Sequence, residues 1–187
     1  MDRRTFLQSA ALTAGYAATG RADALLLHGT LPTDTQPIVV RRSGVTPFPH
    51  VWETCVGSDR AAVAFRQQWL SDIERTKRDV GIQSVRFHGL FDDEMGVWPV
   101  GSKTPNFLYV DMLFDSLIER GLKPFVELSF MPGALASGTR TAFFYRANVT
   151  VPKDMAQWAQ LIGEFARHCI ERYGIKEVST WNFEVWN

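Results

Sequence analysis

Apolar positions along the chain alternate between two periods, and the alternation itself predicts the elements. Residues 51–56 form a short apolar run, read as a strand, and Gly57-Ser58-Asp59 follows as a turn able to cap a helix. Over 61–80, Phe65, Trp69, Ile73 and Val80 recur at helical spacing, with Gly81 placed to close that helix in a left-handed cap. A strand over 82–89 comes next. Asn106 then caps a helix over 107–120 that Gly121 closes. A third strand spans 123–131, Thr150-Val151-Pro152 opens a helix that runs to Tyr173 and stops at Gly174, and a fourth strand fills 178–187.

Strict strand–helix alternation predicts an α/β fold with a parallel sheet and right-handed crossovers. A doubly wound sheet and a barrel both satisfy it. No GxGxxG or GxxxxGK[ST] turn follows any strand, which removes the main support for a nucleotide-binding doubly wound fold. The segments 89–105 and 131–149 are long and both follow strands, whereas the turns after the helices are short. Barrel enzymes collect long loops at the strand C-termini, where their sites lie. A complete (β/α)8 barrel takes about 250 residues, so 187 residues are expected to form the N-terminal half of a TIM barrel, truncated after the fourth strand. Phe91, Asp92, Asp93, Glu94, Trp98, Phe143, Phe144, Tyr145 and Arg146 fall on the rim loops. Mixed aromatic and polar groups suit a sugar, whose ring faces are apolar and whose edges are hydroxyls; packing between the loops is the other use for the same rings.

Charge narrows the partners. Twenty basic residues balance twenty acidic ones, so no field concentrates nucleic acid or anionic lipid. Cys55 and Cys169 match no metal-ligand spacing and are expected to be buried thiols. Neither a metal nor a cofactor is expected. Arg3-Arg4 heads a weakly apolar stretch rich in Ala, Gly and Thr, and Ala22-Asp23-Ala24 offers the small residues a signal peptidase reads. Residues 1–24 are therefore expected to be a twin-arginine signal peptide, with the twin-arginine export machinery as a partner and a periplasmic or secreted product. An amphipathic first helix is the alternative. Residues 25–49, with Pro32, Pro37, Pro47 and Pro49 and no sustained period, read as an extended arm; 50–187 is the half-barrel.

Period-two alternation puts Arg86 and His88 on one face of the second strand, and Asn182, Glu184 and Trp186 on one face of the fourth. Charges inside a barrel persist only when paired and hydrogen-bonded. Arg86, Glu127 and Glu184 are accordingly expected to form an internal polar network. His88, close to the end of its strand, is expected to contact substrate.

Four blocks in order carry a family resemblance: 52–58 (WETCVGS), 85–93 (VRFHGLFDD), 124–131 (PFVELSFM) and 181–187 (WNFEVWN). Together they resemble glycoside hydrolase family 39, which contains β-xylosidases and α-L-iduronidases, and they are closest to its bacterial xylosidase-like branch. The resemblance implies a carbohydrate substrate and a retaining mechanism on a (β/α)8 barrel, with the acid/base glutamate after the fourth strand and the nucleophile after the seventh. Asn187 matches the asparagine that contacts the sugar 2-hydroxyl, and His88 matches a histidine lining the sugar subsite. Glu184 corresponds to neither catalytic glutamate. Both are expected beyond Asn187, so these 187 residues alone are expected to be inactive; a catalytically dead sugar-binding or interaction module is the competing reading.

Overall fold

The computed structural model describes residues 47–185. The expected export signal, all but the last three residues of the expected arm, and Trp186 and Asn187 lie outside them.

Four parallel strands make the sheet, in the order β1 (Val56–Arg60), β2 (Ser84–His88), β3 (Lys123–Glu127) and β6 (Asn182–Glu184). Helices α1 (Gln67–Val80), α2 (Leu108–Glu119) and α3 (Met155–Tyr173) form the crossovers, and the one-turn α4 (Ile175–Val178) leads into β6. Strand order equal to chain order, with a helix on each crossover, is the arrangement of the first part of a (β/α)8 barrel. Val85, Phe87 and Val126 turn to the helical side of the sheet and join Val110, Leu113, Phe114, Leu117, Leu161 and Phe165 in the core. Phe165 is its hub, with its ring centroid 5.3 Å from Phe91 and 5.7 Å from Phe107. Arg86, Glu127 and Glu184 occupy the opposite face, where a closed barrel has its interior.

The glycine caps stand where the sequence places them. Gly81 and Gly121 take φ of 82° and 64°, a region that a side chain enters only at a cost. The helix expected to be capped by Asn106 starts one residue later, at Leu108 with Phe107 as its N-cap, and the Asn106 side chain supports that start from one position further back by accepting from Leu108 N at 3.0 Å.

Four segments differ from the periodic reading, one of them the fourth strand, read over 178–187 but formed only by Asn182–Glu184 after a helical turn that ends at Val178. The first strand is not 51–56: Val51–Glu53 is a 3₁₀ turn, and the strand is Val56–Arg60. Gly57-Ser58-Asp59, read as a turn, is instead a bulge within that strand, with Asp59 at φ 35° and the register against β2 slipping between Gly57 and Arg60. Pairing with β2, set by distant residues, overrides the local turn signal. The helix expected over 61–80 is broken at Arg66, whose extended backbone (ψ 132°) separates the 3₁₀ segment Ala61–Phe65 from α1. The last helix begins at Met155 rather than at Thr150, because Asp154 caps it by accepting from Ala156 N at 2.8 Å while Pro152 pairs with Ala136 in an isolated bridge.

The loop after β3 holds a small antiparallel hairpin, β4 (Thr141–Ala142) and β5 (Ala147–Asn148), that periodicity did not indicate. Both cysteines are free thiols. Cys169 is buried, which pushes its thiol up to about 12, whereas Cys55, expected to be buried, is only partly so. Its sulfur lies 3.7 Å from the carbonyl of Val56.

Candidate functional site

Parallel register brings the polar residues of three strands to one level. Arg86 lies opposite Phe125 on β3, Glu127 lies opposite Glu184 on β6, and His88 ends β2. With period-two alternation, Arg86, His88, Glu127 and Glu184 all emerge on the barrel face near the strand C-termini.

There they form one continuous network. Arg86 donates through Nε and one terminal nitrogen to both carboxylate oxygens of Glu184, at 2.7 and 2.9 Å. The same terminal nitrogen lies 2.6 Å from Oε2 of Glu127. His88 Nδ1 stands 3.0 Å from each oxygen of Glu127, and Ser129 donates its hydroxyl to Oε1 at 2.5 Å. Ser129 in turn accepts from Gly89 N at 3.0 Å, which ties the ends of β2 and β3 together. The Glu127 side chain is wholly buried (0% exposed), so its charge depends on these donors. Glu184 is more open, and the hydrogen bonds from Arg86 hold its carboxyl below the usual range while raising the guanidinium's own pKa.

An ionised carboxylate only accepts, so the His88 nitrogen that faces Glu127, Nδ1, carries a proton, and Nε2 remains for a polar group outside the network. That is the chemistry needed to orient a sugar hydroxyl. Arg86 bridges the carboxylates of Glu127 and Glu184.

Above β1 and β2 lies a second cluster. Arg60, which ends β1 and pairs in register with His88, donates to Glu94 at 2.5 Å, and its guanidinium sits 4.6 Å from the Tyr145 ring centroid. The Phe143 ring stacks on His88 at 6.0 Å and on Tyr145 at 5.3 Å. Burial raises the Tyr145 phenol and the carboxyl of Asp92, which accepts from Glu94 N. A cavity of about 580 Å³ opens beside the end of β3, lined by Leu128, Phe130, Met131, Trp158, Ile162 and Val185 among others; among the described residues no carboxylate lines it.

The structure thus brings together Arg86, His88, Glu127 and Glu184; Asn187 lies outside the described residues. Of the rim residues, Phe143 adjoins His88 and Tyr145 stacks on Phe143, whereas Phe91 and Trp98 are core. Sequence reasoning missed Ser129 and Arg60. A lone serine after a strand carries no signal, but Arg60 was findable once the first strand is placed at Val56–Arg60. Among the described residues no group of three or more His, Cys, Asp or Glu is placed to hold a metal ion, and no helix is long and apolar enough to cross a membrane.

Comparison with known proteins agrees with this architecture. The profile of glycosyl hydrolases family 39 matches residues 38–187. A β-xylosidase of Caldicellulosiruptor saccharolyticus is 48% identical over 139 residues, 73% of this chain and 28% of that protein. A β-xylosidase of Geobacillus stearothermophilus is 41% identical over 154 residues, 79% of this chain and 31% of that protein. Among solved structures, the GH39 enzyme of Xanthomonas axonopodis pv. citri superposes with a TM-score of 0.73 at 32% identity, covering 85% of this chain and 33% of that one. The chain therefore spans less than a third of the length of the curated β-xylosidases it matches.

Proposed function

Because the chain belongs to glycosyl hydrolases family 39, we propose that it forms the first half of the barrel of an exported, retaining β-xylosidase. The observation that carries this reading is the Arg86–Glu127–His88 arrangement at the strand ends, which holds one imidazole in place at the mouth of the barrel. A retaining glycosidase needs two carboxyls about 5 to 5.5 Å apart, one to protonate the leaving oxygen and one to attack the anomeric carbon. Glu127 and Glu184 are both paired with Arg86; in this reading they organise the site and the catalytic pair belongs to sequence beyond Asn187. His88 Nε2 then hydrogen-bonds a hydroxyl of the reacting sugar, and the Asn187 amide contacts the 2-hydroxyl next to the scissile bond. Those contacts strengthen as positive charge develops on the ring in the oxocarbenium-like transition state.

The test is a panel of nitrophenyl glycosides (β-xyloside, β-glucoside, β-galactoside, α-iduronide) assayed with a polypeptide that carries these residues followed by the remaining strands of the barrel. The β-xyloside is expected to have the highest kcat/KM, and His88→Ala to lower it by roughly the 10²-fold that misplacement of a reacting sugar costs. Preference for the iduronide, or indifference to His88→Ala, overturns the assignment. The sugar-binding module is supported by the same occupied carboxylates; it prevails if that longer polypeptide binds xylo-oligosaccharides and cleaves none of the glycosides. Export rests on Arg3-Arg4 and the Ala22-Asp23-Ala24 site. A reporter fused after Ala24 is expected in the periplasm, and replacing both arginines by lysine is expected to keep it in the cytoplasm; unchanged delivery removes the twin-arginine route.

A further inference from the structure

The tip of the β4–β5 hairpin displays aromatic rings where apolar groups are ordinarily hidden. Phe143 is 56% exposed and Phe144 82% exposed, although both lie in a turn that could carry polar residues. The backbone is held at φ 61° at Phe143 and 57° at Arg146, the left-handed region that favours glycine, and the turn is closed by Arg146 N donating to Phe143 O at 3.2 Å. A bulky aromatic kept in that conformation is a costly way to make a turn, and the gain must come from where the rings are put.

The rings are buttressed from below. Tyr145 stacks within 10° of parallel on Phe143, meets Phe144 edge-on at 5.1 Å, and rests on the guanidinium of Arg60, which also lies 5.3 Å from the Phe144 ring. Arg60 is itself fixed by Glu94 and stands in register with His88. Phe143 reaches His88 directly. The result is a rigid apolar surface that begins at the imidazole and runs outward to Phe144, with the Glu94 carboxylate as a polar edge. Such a pairing of flat aromatic face and hydroxyl acceptor matches a pyranose, whose axial C–H bonds pack on a ring while its equatorial hydroxyls hydrogen-bond at the side.

We propose that Phe143 and Phe144 form a stacking subsite for the sugar unit next to the one held by His88, so that the hairpin selects oligosaccharides over single glycosides. The inference rests on the β-xylosidase reading for the identity of the sugar, but not for the existence of the subsite.

Ligand-detected NMR titrations of the 187-residue chain with xylotriose, cellotriose and methyl β-xyloside separate the two claims. Phe144 is exposed, so Phe144→Ala is expected to keep the near-ultraviolet circular dichroism of the parent chain. It is expected to weaken xylotriose binding about five-fold, the order of one aromatic contact, to leave methyl β-xyloside binding unchanged, and to be rescued by Phe144→Trp. Phe48→Ala, which removes an exposed ring ahead of β1 at the other end of the strands, is expected to change nothing. Sensitivity of cellotriose rather than xylotriose binding to Phe144→Ala retains the subsite and overturns the xylose assignment. Xylotriose binding that Phe144→Ala does not alter, or that Phe48→Ala alters equally, overturns the subsite and leaves the xylose assignment standing. Failure of the parent chain to bind either trisaccharide overturns both.

Discussion

Glu127 is the residue on which the polar face depends. Its carboxylate is buried and satisfied by Arg86, His88 and Ser129, whereas Glu184 pairs with Arg86 through a side chain 35% exposed. Burial decides the difference in consequence. Breaking a buried pair costs about 3–5 kcal/mol because the partner charge is stranded, while an exposed pair is worth about 0.2–1 kcal/mol. Urea denaturation is therefore expected to show a much larger loss of stability for Glu127→Ala than for Glu184→Ala; equal losses would show that water reaches the network freely. The network was partly legible in the sequence. Alternation alone places Arg86 and His88 on one face, and the cost of buried charge requires carboxylates to meet them. Ser129 was not legible, since its role follows from the way the chain leaves β3 and not from residue type or spacing.

Among the elements, the α2–α3 contact carries its own ionic clamp. Arg172 donates to both oxygens of Asp115, Tyr173 donates its hydroxyl to the same carboxylate at 2.9 Å, and His168 Nε2 lies 2.6 Å from Asp111. The Arg172 hydrogen bonds, and then that of Tyr173, hold the Asp115 carboxyl below its ordinary value. A depressed native pKa means that the unfolded chain binds the proton more readily. The stabilisation is thus complete above the unfolded value of about 3.9 and is lost as pH falls through the native one. Melting temperature is expected to drop between about pH 5 and pH 2, and Asp115→Asn to flatten that slope, with Glu184 supplying part of the remainder. An unchanged slope would mean that the clamp is not formed in solution.

The turn after α2 is equally specific. Lys77 donates to the carbonyls of Arg120 and Gly121 at 2.5 and 2.8 Å, and Gly121 is left-handed. Gly121→Ala combines a left-handed side chain with displacement of that ammonium, and calorimetry is expected to register a loss of about 1–2 kcal/mol. No loss would mean that the turn relaxes without cost. Elements bounded by such glycines were legible because the cap and the period agree. The first strand and the β4–β5 hairpin were not. In β1 a turn-forming tripeptide is absorbed as a bulge by pairing with residues some 30 positions away; in the hairpin, Phe143 and Arg146 adopt a backbone that their side chains give no reason to expect.

At the scale of the molecule, the sheet separates two functions. One face packs against three helices and supplies the core; the other presents Arg86, Glu127, Glu184 and His88 at the strand C-termini, where barrel enzymes keep their chemistry. Among the described residues, β1 pairs only with β2 and β6 only with β3, so both outer edges can accept further strands. Under the proposed function the acid/base carboxyl follows β6, the nucleophile belongs to one of those further strands, and the residues described supply positioning groups. The most direct test is the anomeric configuration of the first xylose released from a β-xyloside, followed by proton NMR. A polypeptide carrying these residues and the rest of the barrel is expected to release β-xylose first, with α-xylose arising only by later mutarotation, and the 187-residue chain is expected to release none. First-formed α-xylose, or turnover by the 187 residues alone, would contradict it.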